Sequence, residues 1–294
     1  MNKSKTILLL ILIITVFSVN SFSQTGGGNL KIKDSKISLL NNNNTALNNI
    51  SVIQTKKQNN FRFSANLYLW TASLNGSSAL PVNNPYLQIT QTPEVNVNLK
   101  FSDALKNLKF GFMLAGKFMY LNAGILYDIE YMKLQFTGSV PVASNYIGGT
   151  LTAKQFLGDF ALVYNIPLKN KKVTLSALVG TRFFSMNNTI DLTNSDNSIF
   201  TTNDVKSWAD VIIGADAKID FSKHWLTYIK GDVGGFGLVS KLTSSILWTV
   251  GYKITENWNT TLGFKYLYTN YDKNNFLWKM SQYGMLLSFG YVFN

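Results

Sequence analysis

The fold of this chain is decided by stretches such as Trp258-Asn-Thr-Thr-Leu-Gly-Phe-Lys-Tyr-Leu-Tyr268, in which the side chains alternate in character. The even-numbered positions, such as Leu262 and Phe264, are mostly apolar, whereas the odd-numbered positions include Thr261 and Lys265. We call each set of alternate positions a parity of the strand. A period of two is typical of a β-strand, because successive side chains point to opposite faces. The stretch therefore predicts a strand with one largely apolar face and one largely polar face.

Segments with this period follow one another from residue 61 to the carboxyl terminus. They lie near residues 61–73, 109–120, 122–136, 150–165, 171–186, 205–219, 224–235, 243–253, 257–270 and 277–293. These segments exceed the five or six residues typical of soluble strands, whereas a tilted strand that crosses a bilayer needs about 9–11 residues. Their apolar faces often end in Tyr or Trp, as expected for aromatic belts at a membrane interface.

We therefore predict an all-β fold, a transmembrane antiparallel up-and-down β-barrel of about ten strands, with eight or twelve strands as alternatives. A secreted β-sandwich is the competing fold. The placement of residues 74–108 stays open, although Ser102-Asp-Ala-Leu-Lys-Asn-Leu108 predicts a short helix capped by Ser102.

The segments between the predicted strands alternate in length. Residues 137–149 and 187–204 are long connections, whereas residues 166–170 and 220–223 are short ones. Outer-membrane barrels have short periplasmic turns and long outer loops. The alternation predicts a barrel in the bacterial outer membrane with both termini in the periplasm.

The amino-terminal part of the chain has a different character. Lys3 and Lys5 precede an apolar run from Ile7 to Phe17, which predicts a secretory signal peptide over residues 1–23. Residues 24–60 are rich in Asn, Lys, Ser and Gly and contain no aromatic residue before position 61, so we predict a disordered periplasmic tether. Residues 61–294 form the predicted barrel.

Composition excludes several classes of protein. Only 14% of residues are charged, against about 25% in soluble globular proteins. The net charge is +12, but the basic residues are scattered along the chain, which argues against a nucleic-acid partner. The absence of Cys excludes disulfides, thiolate zinc sites and thiol nucleophiles. The sequence predicts no cofactor and no metal site.

The residues on the polar face of each predicted strand are expected to line the lumen. This assignment places seven bases and six acids inside the barrel: Arg62, Lys109, Lys117, Asp128, Glu130, Asp159, Arg182, Asp210, Asp216, Lys218, Lys230, Asp232 and Lys265. A ten-stranded barrel is barely wider than the eight-stranded kind, whose interior is filled by side chains. We therefore predict a lumen largely filled by paired charges.

The sequence Gly231-Asp-Val-Gly-Gly-Phe-Gly237 is rich in glycine, but no helix follows it to bind a phosphate. Glycines at a strand end more often mark a bend or bulge. We predict an outer-rim motif made of Gly231, Asp232, Gly234, Gly235, Phe236 and Gly237.

Three stretches resemble a largely uncharacterised family of outer-membrane β-barrel proteins of Gram-negative bacteria. They are Tyr68-Leu-Trp70 followed by Gly76, Phe101-Ser-Asp-Ala-Leu-Lys-Asn-Leu108, and above all the glycine-rich sequence 231–237. The end of the chain, with Phe289, Tyr291 and Phe293, is similar to the aromatic signal read by the barrel-assembly machinery. The resemblance covers roughly residues 61–294 and implies fold and location, with no catalytic or binding residue.

These observations predict a structural or narrow passive-channel role, with no catalytic residue. A surface hydrolase acting on protein or lipid is one alternative, and a loop-borne adhesin is another. The only His in the chain, His224, lies in a short turn assigned to the periplasmic side, away from a surface substrate. We therefore expect a protein that is not an enzyme. The expected partners are outer-membrane lipid and lipopolysaccharide, the barrel-assembly machinery, and small solutes if the lumen conducts.

Overall fold

The computed structural model describes residues 60–79, 94–142, 145–194 and 197–293. The predicted signal peptide and all of the predicted tether except residue 60 lie outside these ranges. The described strands are β1 Phe61–Trp70, β2 Ser73–Ala79, β3 Val95–Leu99, β4 Leu108–Tyr120, β5 Ala123–Val142, β6 Asn145–Ile166, β7 Val173–Asn194, β8 Asn197–Asp220, β9 Trp225–Gly234, β10 Leu242–Lys253, β11 Trp258–Lys273 and β12 Phe276–Phe293.

The strands form one closed antiparallel barrel. Strands β4 to β12 pair in chain order, and β1 closes the ring between β12 and β4. In the closing pairs, Phe63 is opposite Phe293 and Phe61 is opposite Tyr120. Closure pairs the backbone polar groups of every spanning strand, which is what a bilayer interior demands. The predicted ten-stranded barrel is confirmed, and two further strands, β2 and β3, extend its wall.

The first predicted strand ends earlier than residue 73. It stops at Trp70, and β2 then continues along the same neighbour, β12, with Tyr283 opposite Ser73. β3 pairs with β2. Within the open segment 74–108, residues 74–79 and 95–99 therefore lie in strands that extend the wall, whereas residues 80–93 lie outside the described ranges.

A short helix, α1, connects β3 to β4 and spans Phe101–Asn107. The predicted helix is confirmed, but the predicted cap is wrong. Lys100 occupies the N-cap position, and its side chain makes no capping hydrogen bond. The Ser73 hydroxyl instead accepts a hydrogen bond from the backbone amide of Phe101 at 3.1 Å. Within the described residues, no helix is both long and apolar enough to cross a membrane.

The two faces of the strands have opposite surroundings, as the period of two predicts. On β11, Lys265 and Leu267 are 5% and 1% exposed, whereas Leu262 and Phe264 are 55% and 39% exposed. The polar parity therefore faces the lumen, and the apolar parity forms the outer wall. An apolar outer face is the arrangement that a bilayer stabilises.

Strands β5, β6, β7 and β8 are longer than predicted, with 20, 22, 22 and 24 residues. The predicted long loops over 137–149 and 187–204 are wrong, because most of both segments continues the ladders. Phe136 pairs with Leu151, and the β5–β6 pairing runs on to Val142 and Asn145. These segments lack the regular alternation of apolar and polar residues, so the sequence pattern does not mark them as strands although the ladders continue.

Candidate functional site

The lumen is the candidate site, because it gathers most of the buried ionisable side chains. Ten of the thirteen charged side chains that were predicted to line the lumen lie in its interior: Lys117, Asp128, Glu130, Asp159, Arg182, Asp210, Asp216, Lys230, Asp232 and Lys265. The prediction of seven bases inside needs correction. Arg62 and Lys109 are exposed, and the side chain of Lys218 is 40% exposed.

The prediction that these three bases are buried is wrong because parity assigns a residue to one face of a strand and does not give its depth along the barrel. Arg62 lies close to the start of β1. Lys218 lies near the end of β8 and pairs with Asp220 at 3.3 Å. Lys109 lies at a shift in the β4–β5 register, where the alternation is interrupted. Six acids and four of the predicted bases remain in the interior.

Arg182 is at the centre of the largest charged group. Its guanidinium donates to both carboxylate oxygens of Asp159, at 2.8 and 2.7 Å, and forms an ion pair with Asp232 at 2.9 Å. Lys230 lies 3.2 Å from the Asp159 carboxylate and 3.6 Å from that of Asp232. Arg182 also donates to the hydroxyls of Thr243 and Ser245, at 3.1 and 3.2 Å.

The partners of Arg182 come from three strands other than its own. Arg182 and Asp159 are directly opposite each other on β7 and β6, which explains the two-pronged geometry. Asp232 reaches it from β9, and Thr243 reaches it from β10. We call these residues the arginine group: Asp159, Arg182, Lys230, Asp232, Thr243 and Ser245. The group joins strands that lie on different sides of β8.

Lys265 is at the centre of a second group. Its ammonium lies 2.7 Å from the Asp128 carboxylate and also forms an ion pair with Glu130. The Tyr68 hydroxyl donates to both acids, at 2.5 and 2.9 Å. The ammonium also lies 5.1 Å from the centroid of the Trp70 ring, a cation–π distance. Asp128 and Glu130 are therefore engaged by one lysine and one phenol.

The third group lies around Asp216. Lys117 donates to both of its carboxylate oxygens at 2.7 Å, and the Ser176 hydroxyl donates to one of them at 3.1 Å. A small buried apolar cluster joins Leu126, Ala161, Val163 and Leu178. Charged and apolar side chains thus alternate in the interior.

A buried aromatic layer also crosses the lumen, and sequence reasoning missed it. The Trp208 ring stacks between Phe184, at 4.7 Å, and Tyr271, at 4.3 Å. Phe276 packs beside Trp208 at 6.1 Å and is fully buried. Phe184 and Trp208 share the inward parity of Arg182 and Asp210, and extending that parity along β7 and β8 would have found both of them.

The glycine-rich rim motif covers the end of β9 and a tight turn. Gly235, Phe236 and Gly237 have φ values of 81°, 48° and 75°, all in the left-handed region. A Cβ on Gly235 would lie 2.8 Å from the Ser240 carbonyl oxygen, so glycine is required there. Asp232 belongs to the arginine group, whereas Phe236 is 50% exposed.

The turn after β9 folds back onto the lumen. Asp210 accepts hydrogen bonds from the amide and the hydroxyl of Ser240, at 2.8 and 2.6 Å, and both residues are fully buried. Val239 packs against the aromatic cluster. Lys241 pairs with Asp272 at 2.7 Å on the exposed side. Asp210 therefore anchors the turn between β9 and β10 through hydrogen bonds to Ser240, although the sequence analysis assigned it to a network of ion pairs.

The remaining predicted residues lie at the rim where β1 begins and β12 ends. Phe289 stacks on Trp258 at 4.9 Å, and Tyr291 contacts the same ring edge-on at 4.6 Å. Phe293 lies 5.3 Å from Phe63, across the seam between β12 and β1. The predicted assembly signal thus forms part of an outward aromatic belt.

His224 lies in a turn at this same rim. Its Nδ1 lies 3.3 Å from the Lys253 carbonyl oxygen, and its ring stacks on Tyr252 at 5.8 Å. Asp128 and Glu130, which are two residues apart on β5, both pair with Lys265 in the lumen. Within the described residues, no three His, Asp or Glu side chains are placed to share a metal ion.

The comparisons with known proteins concern the fold. The barrel is similar to the outer membrane protease OmpT from Escherichia coli, with 10% identity, a TM-score of 0.47, and coverage of 79% of this chain and 96% of that one. The chain has the fold of a bacterial outer-membrane β-barrel. The translocator domain of the autotransporter NalP from Neisseria meningitidis matches with 10% identity and a TM-score of 0.41, over 79% and 88% of the two chains.

A third similar structure is Ail, the attachment invasion locus protein of Yersinia pestis, in complex with the heparin analogue sucrose octasulfate. It has 14% identity and a TM-score of 0.32, over 79% of this chain and 98% of that one. No protein-family model and no curated protein matches the chain. The resemblance that rests on residues 231–237 therefore holds at the level of outer-membrane barrels and assigns no narrower family.

The expectation that the chain is not an enzyme is corrected by these comparisons. It rested on the position of the only histidine, His224, in a short turn away from a surface substrate. OmpT is a protease, and its barrel matches over 79% of this chain. The position of one histidine therefore gives no ground for excluding catalysis.

Proposed function

We propose that this outer-membrane barrel has a structural role and that its lumen is closed to solutes at rest. The arginine group carries the proposal. Arg182 is 1% exposed and is held by two carboxylates and two hydroxyls from strands on different sides of the lumen. A guanidinium with so many partners spans a narrow barrel and leaves little free cross-section beside it.

Two further features support closure at different depths. The stacked layer around Trp208 places four aromatic rings across the interior, with Phe276 fully buried. The loop held by Asp210 places Ser240 and Val239 against that layer. Each feature alone narrows the path, and together they occupy the lumen at successive levels.

Conductance in a planar lipid bilayer tests this proposal. The full chain is expected to conduct poorly, because ions meet paired charges and stacked rings instead of a continuous water column. A Trp208→Ala variant combined with Tyr271→Ala removes the central ring stack and is expected to raise the conductance at least several-fold. Trp248→Ala is the matched control, since Trp248 faces outward and is 52% exposed.

A steady wild-type conductance that the double variant leaves unchanged would contradict closure. That result would favour the narrow passive channel, in which the lumen charges line a hydrated path. A wild-type protein that is silent, with a conducting double variant and a silent control variant, supports the structural role.

We also propose the orientation of the barrel. The rim that carries Phe63 and Phe293 also carries the short turns at residues 121–122, 221–224 and 254–257. The opposite rim also has a short turn at residues 274–275, but it carries the extended β5–β6 and β7–β8 hairpins. Long connections are typical of the outer side, and short turns of the periplasmic side. Both termini then lie in the periplasm, where the aromatic end of β12 is available to the barrel-assembly machinery, and the long β5–β8 hairpins project outside the cell.

A further inference from the structure

A row of lysines crosses the outer wall where the long hairpins leave the membrane. Lys133 on β5 and Lys154 on β6 are directly opposite each other in the ladder, on the outward parity. Like charges at directly opposite positions of an antiparallel pair repel. Lys109 is exposed at the neighbouring bulge of β4, next to Phe110, the register partner of Lys133.

This row has no acidic counterpart. Within the described residues, Lys133 and Lys154 have no carboxylate within ion-pairing distance. Their outward neighbours in the ladder are Phe110, Gln135, Thr152 and Asn187. Two half-buried lysines are directly opposite each other without a compensating carboxylate, so the repulsion between like charges favours an anion at this position.

The depth of the row matches a membrane interface. Tyr131 and Phe156 form the next outward row toward the membrane, and Tyr131 packs against Phe110 at 5.8 Å. On β6, Phe156 and Tyr164 are eight residues apart, about 26 Å along the strand. At a strand tilt of about 40°, the two rings are about 20 Å apart along the barrel axis, and Lys154, two residues beyond Phe156, lies at the edge of an apolar band of about 25 Å. Lys154 therefore lies just beyond the upper girdle.

An apolar groove opens directly below Lys154 on the same wall. Its volume is about 540 Å³, and its outward lining includes Phe156, Phe160 and Phe183. The rings of Phe156 and Phe160 both cover Gly158, since a Cβ at this position would lie 3.0 Å from the Phe156 ring. At the level of Phe156, the hydroxyls of Ser185 and Ser207 form a hydrogen bond of 2.8 Å on the outer face.

We propose that this face binds a phosphorylated lipid of the surrounding leaflet. Lys133 and Lys154 bind its phosphate, with Lys109 at the edge of the site. The Ser185 and Ser207 hydroxyls meet the ester or amide groups that join the headgroup to the chains. The groove receives one acyl chain. The three levels follow the order of charge, hydrogen-bonding groups and hydrocarbon in such a lipid.

Native mass spectrometry of the full chain in detergent tests the proposal, with phosphatidic acid and phosphatidylcholine as probes. Wild-type protein is expected to retain one phosphatidic acid with at least tenfold higher affinity than phosphatidylcholine. Lys133→Gln combined with Lys154→Gln is expected to reduce that preference to less than twofold. Lys171→Gln combined with Lys172→Gln is the matched control, since it removes two exposed lysines at the opposite rim and leaves the preference intact.

Thermal unfolding separates ligand binding from a structural role of the lysines. Without phosphatidic acid, the Lys133/Lys154 double variant is expected to unfold at the same or a higher temperature than wild type, because it loses a repulsive pair. With phosphatidic acid, only proteins that retain both lysines are expected to gain thermal stability. A double variant that is less stable without the lipid would contradict the proposal.

Inorganic phosphate and a filled groove distinguish a lipid from a free anion. Ser207→Phe places a ring in the groove and is expected to weaken phosphatidic acid binding at least fivefold. Millimolar inorganic phosphate is expected to displace little of the lipid. Full displacement by phosphate, together with unchanged binding by Ser207→Phe, would overturn the lipid site in favour of a simple anion site. Equal affinity of wild type for both lipids would overturn the proposal altogether.

Discussion

Replacing Arg182 by alanine is the sharpest test of the charged interior. Arg182 is 1% exposed and bridges Asp159 and Asp232, and its loss leaves the two carboxylates with Lys230 as their remaining cation in the arginine group. Removing one partner of a buried ion pair costs about 3–5 kcal/mol, because the other charge stays buried without compensation. We expect Arg182→Ala to lower the free energy of unfolding by about that amount.

Reversible unfolding by urea in vesicles of short-chain phosphatidylcholine, followed by tryptophan fluorescence, measures this loss. Lys241→Ala is the control, since its pair with Asp272 has side-chain exposures of 61% and 48%. An exposed pair of this kind is worth about 0–1 kcal/mol. The comparison separates the effect of burial from the effect of removing a positive charge.

A compensated variant keeps the test decisive if Arg182→Ala does not fold. Arg182→Met with Asp232→Asn removes one charge of each sign and leaves Asp159 paired with Lys230 at 3.2 Å. Because neutral replacements of a buried pair are often tolerated, this variant is expected to be more stable than Arg182→Ala. Equal, small losses in Arg182→Ala and Lys241→Ala would refute the reasoning, since they would mean that water screens the lumen charges.

Three other predictions address the wall, the orientation and the rim. Leu287 is 56% exposed on the outer wall, and Leu287→Arg should lower the free energy of unfolding by about 2–4 kcal/mol. Phe293→Arg at the rim should lower it by about 0–1 kcal/mol, and equal losses in the two variants would contradict the assigned depth. A cysteine at Asn194 should react with an impermeant thiol reagent on intact cells, and a cysteine at His224 should react only after the outer membrane is permeabilised; the reverse pattern would invert the barrel. Gly235→Ala should destabilise the protein by about 1–3 kcal/mol in the same urea assay, because its φ of 81° is unfavourable for alanine, and an unchanged midpoint would be inconsistent with the turn described.

Much of the wall could be predicted because its physical cause is local. The alternation in residues 258–268 reports the two environments of one strand, and β11 has both of them. The same pattern could not predict how far β5 to β8 extend. Beyond the hydrocarbon no apolar face is needed, so the alternating signal disappears there while the hydrogen-bonded ladder continues.

The candidate site was predicted only in part, for a related reason. Parity assigned Arg182 and Asp159 to the lumen, and both are buried there. It also assigned Lys109 to the lumen, and the register shift in β4 places that side chain in solvent. No sequence pattern connected Asp210 to Ser240, because these residues are thirty positions apart and meet through the fold of a loop.

The sequence by itself determined the class of fold and the face of most residues, because a bilayer on one side of each strand imposes a period of two on the chain. It favoured ten spanning strands and left eight and twelve as alternatives, which the pairing of β1 with β12 and β4 excludes. Tertiary structure alone decided which charged side chains form ion pairs and which lie opposite a like charge. Arg182 meets Asp159 and Lys133 meets Lys154 through ladder register and barrel closure. These depend on relative positions of strands, and a period within one strand carries no information about its neighbour.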